Sequence, residues 1–115
     1  MRVLVVEDDA GVRDTLNDLL AASGHVVSLA ATYAQAAELL TQVALDVLVA
    51  DLILPGGSGL ELANRAVAHG MAAVLCTGHP TQMEMLREHG IGHLAKPFSS
   101  ETLERAITAA VLRPR

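Results

Sequence analysis

The sequence predicts a single doubly wound α/β domain, and three observations predict it. Short apolar runs of strand length recur along the chain. Helical patterns separate them. Most of the runs are apolar at consecutive positions, which suits strands buried on both faces of a parallel sheet. A strand followed by a helix, five times over, implies parallel strands joined by right-handed crossovers. With 115 residues, 51% of them apolar, the chain has the size and the apolar content for one such domain.

The strands are expected at residues 3–6, 26–30, 47–50, 71–75 and, more weakly, 91–95. After the first, Val12, Leu16, Leu19 and Leu20 share a helical face, and Asp9 is placed to cap that helix at its positive dipole end. Ala36, Leu39, Leu40 and Val43 mark the second helix. Ser58-Gly59-Leu60-Glu61 reads as a capping box that opens the third. Residues 80–89 form a fourth helical segment. Leu103, Ala106, Ile107, Ala110 and Val111 give the clearest amphipathic stripe, the fifth. Gly24, Gly70 and Gly90 stand where helices should stop, and Arg113-Pro114-Arg115 is expected to end the last one.

Bulk properties exclude several function classes. A net charge of −5 argues against binding a phosphate backbone. Tyr33 and Phe98 are the only aromatic residues, too few for base stacking. Cys76 is alone, so no intrachain disulfide can form. The apolar runs are too short to span a bilayer, and the N-terminus lacks a signal peptide's apolar region and cleavage site. A cytoplasmic protein is expected, with no direct nucleic-acid or membrane partner.

In a doubly wound sheet the ligand crevice lies beyond the carboxyl ends of the strands. The first strand ends in Glu7-Asp8-Asp9, the third in Asp51, the fourth in Cys76-Thr77-Gly78 and the fifth in Lys96-Pro97. Asp51 follows an apolar run, where a charge is costly unless paired or bound to a metal. Carboxylates, a hydroxyl and an ammonium therefore converge on one rim. The crowded acids should raise at least one pKa, and a divalent cation relieves that repulsion. Hard oxygen donors suit Mg²⁺ better than Zn²⁺. A carboxylate beside a metal and a lysine can act as nucleophile in phosphoryl transfer and form an acyl phosphate.

These residues give the chain a resemblance, over essentially its full length, to the receiver domain of two-component response regulators. The motifs that carry it are LVVEDD at residues 4–9, ADLILPGGSGLEL at 50–62, CTG at 76–78 and KPF at 96–98. The resemblance implies one receiver domain over residues 1–115, with a flavodoxin-like five-stranded sheet of order 2-1-3-4-5. It also implies roles. Asp51 would accept the phosphoryl group from a histidine kinase or histidine phosphotransfer protein. Asp8, Glu7 (directly or through water), Asp51 and the backbone carbonyl of Ile53 would hold Mg²⁺, with Mn²⁺ as a substitute. Thr77 would bond a phosphoryl oxygen and move as phosphate arrives, and Lys96 would pair first with Asp51 and then with that oxygen. Ile53 and His79 would tune the lifetime of the adduct. The switch would be a population shift that alters binding to a downstream protein.

The sequence departs from the family pattern at His93, where an aromatic residue usually stands; an imidazole there could swing and make the switch depend on pH. The fourth helical segment is short by about one turn. Plainer readings apply elsewhere. Gly56-Gly57-Ser58-Gly59 is read as a turn and helix cap, since it lacks the Lys-Ser/Thr of a P-loop. His25, His69 and His89 are expected near helix ends, at the surface or against the C-terminal dipole, and Cys76 as a small buried hydrophobe. Three functions compete. The leading one is a signalling switch that catalyses only its own phosphorylation and dephosphorylation and turns over no metabolite. A small Mg²⁺-dependent phosphatase would want a second acid at position 53, where Ile53 stands. A degenerate receiver, acting as a phosphorylation-independent binding module, is the remaining alternative.

Overall fold

The computed structural model describes residues 1–78, 80–88 and 91–112, without the side chains of 80–83. Its elements run β1 (Arg2–Val6), α1 (Ala10–Ala22), β2 (Val26–Ala30), α2 (Tyr33–Gln42), β3 (Val47–Asp51), β4 (Ile53–Leu54), β5 (Gly57–Ser58), α3 (Gly59–Ala68), β6 (Ala72–Thr77), α4 (Pro80–Glu88), β7 (Gly92–Ala95) and α5 (Ser100–Leu112). Five strands form a parallel sheet in the order β2-β1-β3-β6-β7. This is the 2-1-3-4-5 order of the flavodoxin-like fold, counted over the main sheet alone.

The period of two along each strand divides the core. Leu4, Val6, Leu48, Ala50, Ala73 and Leu75 pack on one face with Leu40, Leu62 and Leu86 of α2, α3 and α4. Val3, Val5, Val47, Val49, Val74 and Cys76 pack on the other with Leu16, Leu20, Leu103 and Ile107 of α1 and α5. Each fully buried Leu or Ile here contributes roughly 1.5–3 kcal/mol of hydrophobic stabilisation.

The helix starts follow local chemistry. Asp9 Oδ1 accepts from the Val12 N–H (3.0 Å), and Thr32 Oγ1 accepts from the Gln35 N–H (3.2 Å). Ser99 Oγ accepts from the Thr102 N–H (3.1 Å). Each cap stabilises its helix by about 1 kcal/mol. Ser58 also caps α3, but its oxygen accepts from the Leu60 N–H (3.1 Å) rather than from that of Glu61. α1 and α3 give way to Gly24 and Gly70, at φ +89° and +84°. Gly90 and the tail at 113–115 lie outside the described residues.

The expected turn at Gly56 (φ +83°) and helix cap at Ser58 are present, and the structure adds a small antiparallel hairpin around them, Ile53 opposite Ser58 and Leu54 opposite Gly57. Its two-residue strands are too short to leave an alternating pattern. β2 is less covered than its apolar run predicts: at the sheet edge, Val26 is 67% exposed and Leu29 37%, although Ala30 and Val27 reach the two core faces. His25 stands just past the end of α1, as expected, but its side chain is turned inward. That side chain is 8% exposed, and Nε2 lies 3.0 and 3.1 Å from the two carboxylate oxygens of Glu104 on α5. That partner is 79 positions away in sequence, beyond local pattern reading.

Candidate active site

Parallel pairing carries four strand ends to one rim. Val6 stands opposite Ala50, Asp51 opposite Cys76 and Thr77 opposite Ala95. The residues that follow β1 and β7, Glu7-Asp8 and Lys96, therefore emerge beside Asp51 and Thr77. The Lys96 N–H donates to the Thr77 carbonyl (3.0 Å), and the Leu52 N–H donates to the Cys76 carbonyl (3.1 Å). Asp51, Ile53, Thr77 and Lys96 line a cleft of about 140 Å³ at this rim.

Lys96 Nζ lies 2.6 Å from Asp51 Oδ1 and 3.8 Å from Glu7 Oε2. Burial works against the ammonium charge. The hydrogen bond and charge of Asp51, with Glu7 behind it, outweigh burial and hold Lys96 above its usual range. Glu7 is only 4% exposed. Its Oε1 accepts from the Asp9 N–H (3.1 Å), and its carbonyl accepts from Arg13 Nη1 (2.9 Å). Burial pushes the Glu7 carboxyl up to about 7. A hydrogen bond to Asp51 reinforces the rise, and the Asp9 N–H and Lys96 oppose it. The rise expected from crowded acids thus falls on Glu7, the deepest of them.

This shift has a consequence for the metal-free protein. The unperturbed carboxyl titrates near 4.5 and the folded one near 7, so between these values the folded state holds a proton that the unfolded state has lost. The stability Glu7 contributes is full below about 4.5 and is lost as pH rises through about 7.

Glu7, Asp8 and Asp51 each offer a carboxylate oxygen, and these oxygens lie within 4.8 Å of one another. Asp8 is exposed and Asp51 half-buried, so the cluster opens to water. An all-oxygen donor set with room for water matches Mg²⁺. The raised Glu7 carboxyl fits too, since a cation would displace its proton and relieve the repulsion.

The other expected residues divide. Thr77 is buried at the end of β6 and lines the cleft. Ile53 is 74% exposed at the cleft mouth. His93 stands half-buried in β7 opposite Leu75, up-strand of the rim rather than in it. His79 and His89 lie outside the described residues. Cys76 is buried and its thiol is pushed up to about 12 by burial, with the Asp51 charge adding to the rise, so it is no nucleophile.

Two features of the molecule leave no mark in the sequence. An apolar groove of about 760 Å³ adjoins Lys96, between α1 and the segment after β7, and Val12, Leu16, Leu19, Pro97 and Phe98 line it. The apolar stripe of α1 signalled a core face, yet only Leu16 and Leu20 are buried in it. Tyr33 lies across the hairpin that follows Asp51, and nothing in its sequence neighbourhood marks it.

Among the described residues no helix is long and apolar enough to cross a membrane. Known proteins agree with the geometry. Sporulation initiation phosphotransferase F of Bacillus subtilis is 26% identical over 92% of this chain and 90% of its own length. The transcriptional regulatory protein FixJ of Bradyrhizobium diazoefficiens is 31% identical over 95% of this chain, which spans only 56% of FixJ. Among solved structures, the receiver domain of a sensor histidine kinase from Pseudomonas aeruginosa, with a magnesium ion coordinated in its active-site cleft, superposes with a TM-score of 0.82. It covers 96% of each chain at 24% identity, so it speaks for the fold. The family model for the response regulator receiver domain matches residues 3–108. On that match, and on the sheet order and rim that bear it out, the chain belongs to the response regulator receiver domain family.

Proposed function

We propose that this chain is a phosphoacceptor switch of two-component signalling, with Asp51 as the acceptor. The observation that carries the reading is one carboxylate, Asp51, held at 2.6 Å by an ammonium and flanked by two further acids that together fit Mg²⁺. The donor is the phosphohistidine of a histidine kinase or histidine phosphotransfer protein. An Asp51 carboxylate oxygen forms the new P–O bond as the P–N bond breaks, and the electron pair leaves with the imidazole. Lys96 neutralises charge on the transferring group, and Thr77, which lines the same cleft, bonds one of its oxygens. Glu7, Asp8, Asp51 and the Ile53 carbonyl would hold Mg²⁺, which would supply charge neutralisation at the phosphoryl oxygens. Ile53, exposed at the mouth, screens the adduct from water. The groove beside Lys96 offers a protein donor an apolar seat within reach of Asp51. No external metabolite is turned over, and a cytoplasmic location fits this role.

Intact mass after incubation with Mg²⁺ and acetyl phosphate tests the reading. Wild type is expected to gain one labile phosphoryl group, and Asp51→Ala none. An adduct of equal yield on Asp51→Ala would place the chemistry elsewhere. No adduct on wild type, with acetyl phosphate or with a phosphorylated histidine donor, would favour the binding-module alternative.

Mg²⁺ binding should also be pH-dependent. A bound cation must expel the Glu7 proton, so affinity is expected to fall by up to about tenfold per pH unit below about 7 and to level off above it. Calorimetric titration between pH 5.5 and 8 reads this directly. Mg²⁺ should raise the thermal midpoint by mass action, and more at pH 8 than at pH 6. A flat profile would contradict the assignment of Glu7 to the metal cluster.

A further inference from the structure

One side chain from another part of the chain holds the hairpin after Asp51. Tyr33 opens α2, and its N–H donates to the Pro55 carbonyl at the hairpin turn (3.1 Å). Its ring lies so close to Gly57 that a Cβ there would sit 2.6 Å from Cδ2 and 2.7 Å from Cγ. Its hydroxyl lies 3.4 Å from Arg65 Nη1, which donates to it, and the guanidinium carbon is 5.9 Å from the ring centroid. The ring also packs against the core beneath α2 and α3. Tyr33 thus joins the start of α2, both sides of the hairpin turn and α3.

Besides Tyr33, the hairpin is held by the buried Leu54 side chain and by its run into α3, and neither of these grips the turn. Each strand has two residues, and the turn passes through Pro55 and Gly56. A ladder this short is not stable by itself. Yet it carries Ile53, two residues beyond the acceptor, and the Ile53 carbonyl must be fixed if it is to serve as a ligand. The bare Cα of Gly57 is what admits the ring. Gly57 is outside the left-handed region, so the position needs glycine for space and not for backbone conformation.

We infer that Tyr33 is a positioning residue for the phosphoacceptor site: seated on Gly57, it fixes the hairpin and with it the Ile53 backbone beside Asp51. The inference rests on the Mg²⁺ reading given above. It separates the ring, which does the positioning, from the hydroxyl, which only meets Arg65.

Calorimetric Mg²⁺ titration of the whole chain tests it, at a temperature well below each variant's thermal midpoint. Tyr33→Ala removes the ring, Gly57→Ala forces it off its seat, and Tyr33→Phe keeps it. The first two are expected to raise the Mg²⁺ Kd about tenfold. Tyr33→Phe is expected to match wild type. Adduct formation from acetyl phosphate should return to within about twofold of wild type at saturating Mg²⁺, a loss of binding rather than of chemistry. A lowered thermal midpoint with an unchanged Kd in both ring variants would reduce Tyr33 to a structural residue and overturn the inference. Should Tyr33→Ala fail to fold, Gly57→Ala decides by the same criterion. Failure of wild type to bind Mg²⁺ and to form an adduct would instead sink the reading of the site itself.

Discussion

Replacing Lys96 by alanine is expected to slow adduct formation by about 10²- to 10³-fold while leaving Mg²⁺ bound more tightly. The two effects come from one geometry. Nζ sits 2.6 Å from Asp51 Oδ1 and 3.8 Å from Glu7 Oε2, so it is the fixed cation of a rim built from acids. During transfer the charge that develops on the phosphoryl oxygens needs a preorganised counter-charge, and Lys96 is already in place for it. Before transfer the same ammonium repels a second cation, so its removal relieves the metal site. Lys96→Arg should not restore the rate, because a planar fork cannot take the place of a compact ammonium in so small a cleft. Time courses of intact mass at saturating Mg²⁺, paired with calorimetry, separate the two effects. A rate within a factor of about two of wild type would remove Lys96 from the chemistry.

The second large effect is expected at Gly59. A Cβ there would collide with the backbone carbonyl oxygen of Asp51 and stand 2.8 Å from the Leu52 Cα and 2.9 Å from the Asp51 carbonyl carbon. These are backbone atoms of the central strand's end and cannot turn aside as a flexible side chain can. The Gly59 N–H also donates to the Leu52 carbonyl at 2.7 Å and draws the start of α3 onto the strand. Gly59→Ala must break that approach or move Asp51. The expected cost is about 3 kcal/mol or more, a fall in thermal midpoint of roughly 15 °C. Gly78→Ala is the control, since a Cβ at Gly78 meets nothing within 4 Å. Equal midpoints for the two variants would show that the contact yields more readily than its geometry implies.

The strands and the polar residues at their ends were legible in the sequence because both rest on short-range pattern, whereas the strand order came from the family resemblance. Consecutive apolar positions at 3–6 and 47–50 announce strands covered on both sides, and a polar residue directly after such a run must lie at a strand end. Lys96 and Asp51 could be placed on one rim without knowing their separation. What was not legible depends on distance across the chain. Glu7 carries no sequence mark of being the most buried acid. Its depth comes from the strands on either side of β1 and from Asp9 and Arg13 folding back over it. His25 finds Glu104, and Tyr33 finds Gly57, by tertiary packing alone. Val12 and Leu19 read as core positions but line an open groove, because hydrophobic periodicity reports a face and not what covers it.

The alternation along β1, β3 and β6 has one more consequence. Leu48 and Val49 are neighbours in sequence, yet they belong to separate packed masses with a layer of backbone between them. A change of volume beneath α4 meets that hydrogen-bonded layer before it can reach α1 or α5. The sheet therefore behaves as a bulkhead. The helices on its two sides can be reshaped by independent histories of substitution, and the rim, where both compartments end, is the place where either side can act on the same acid.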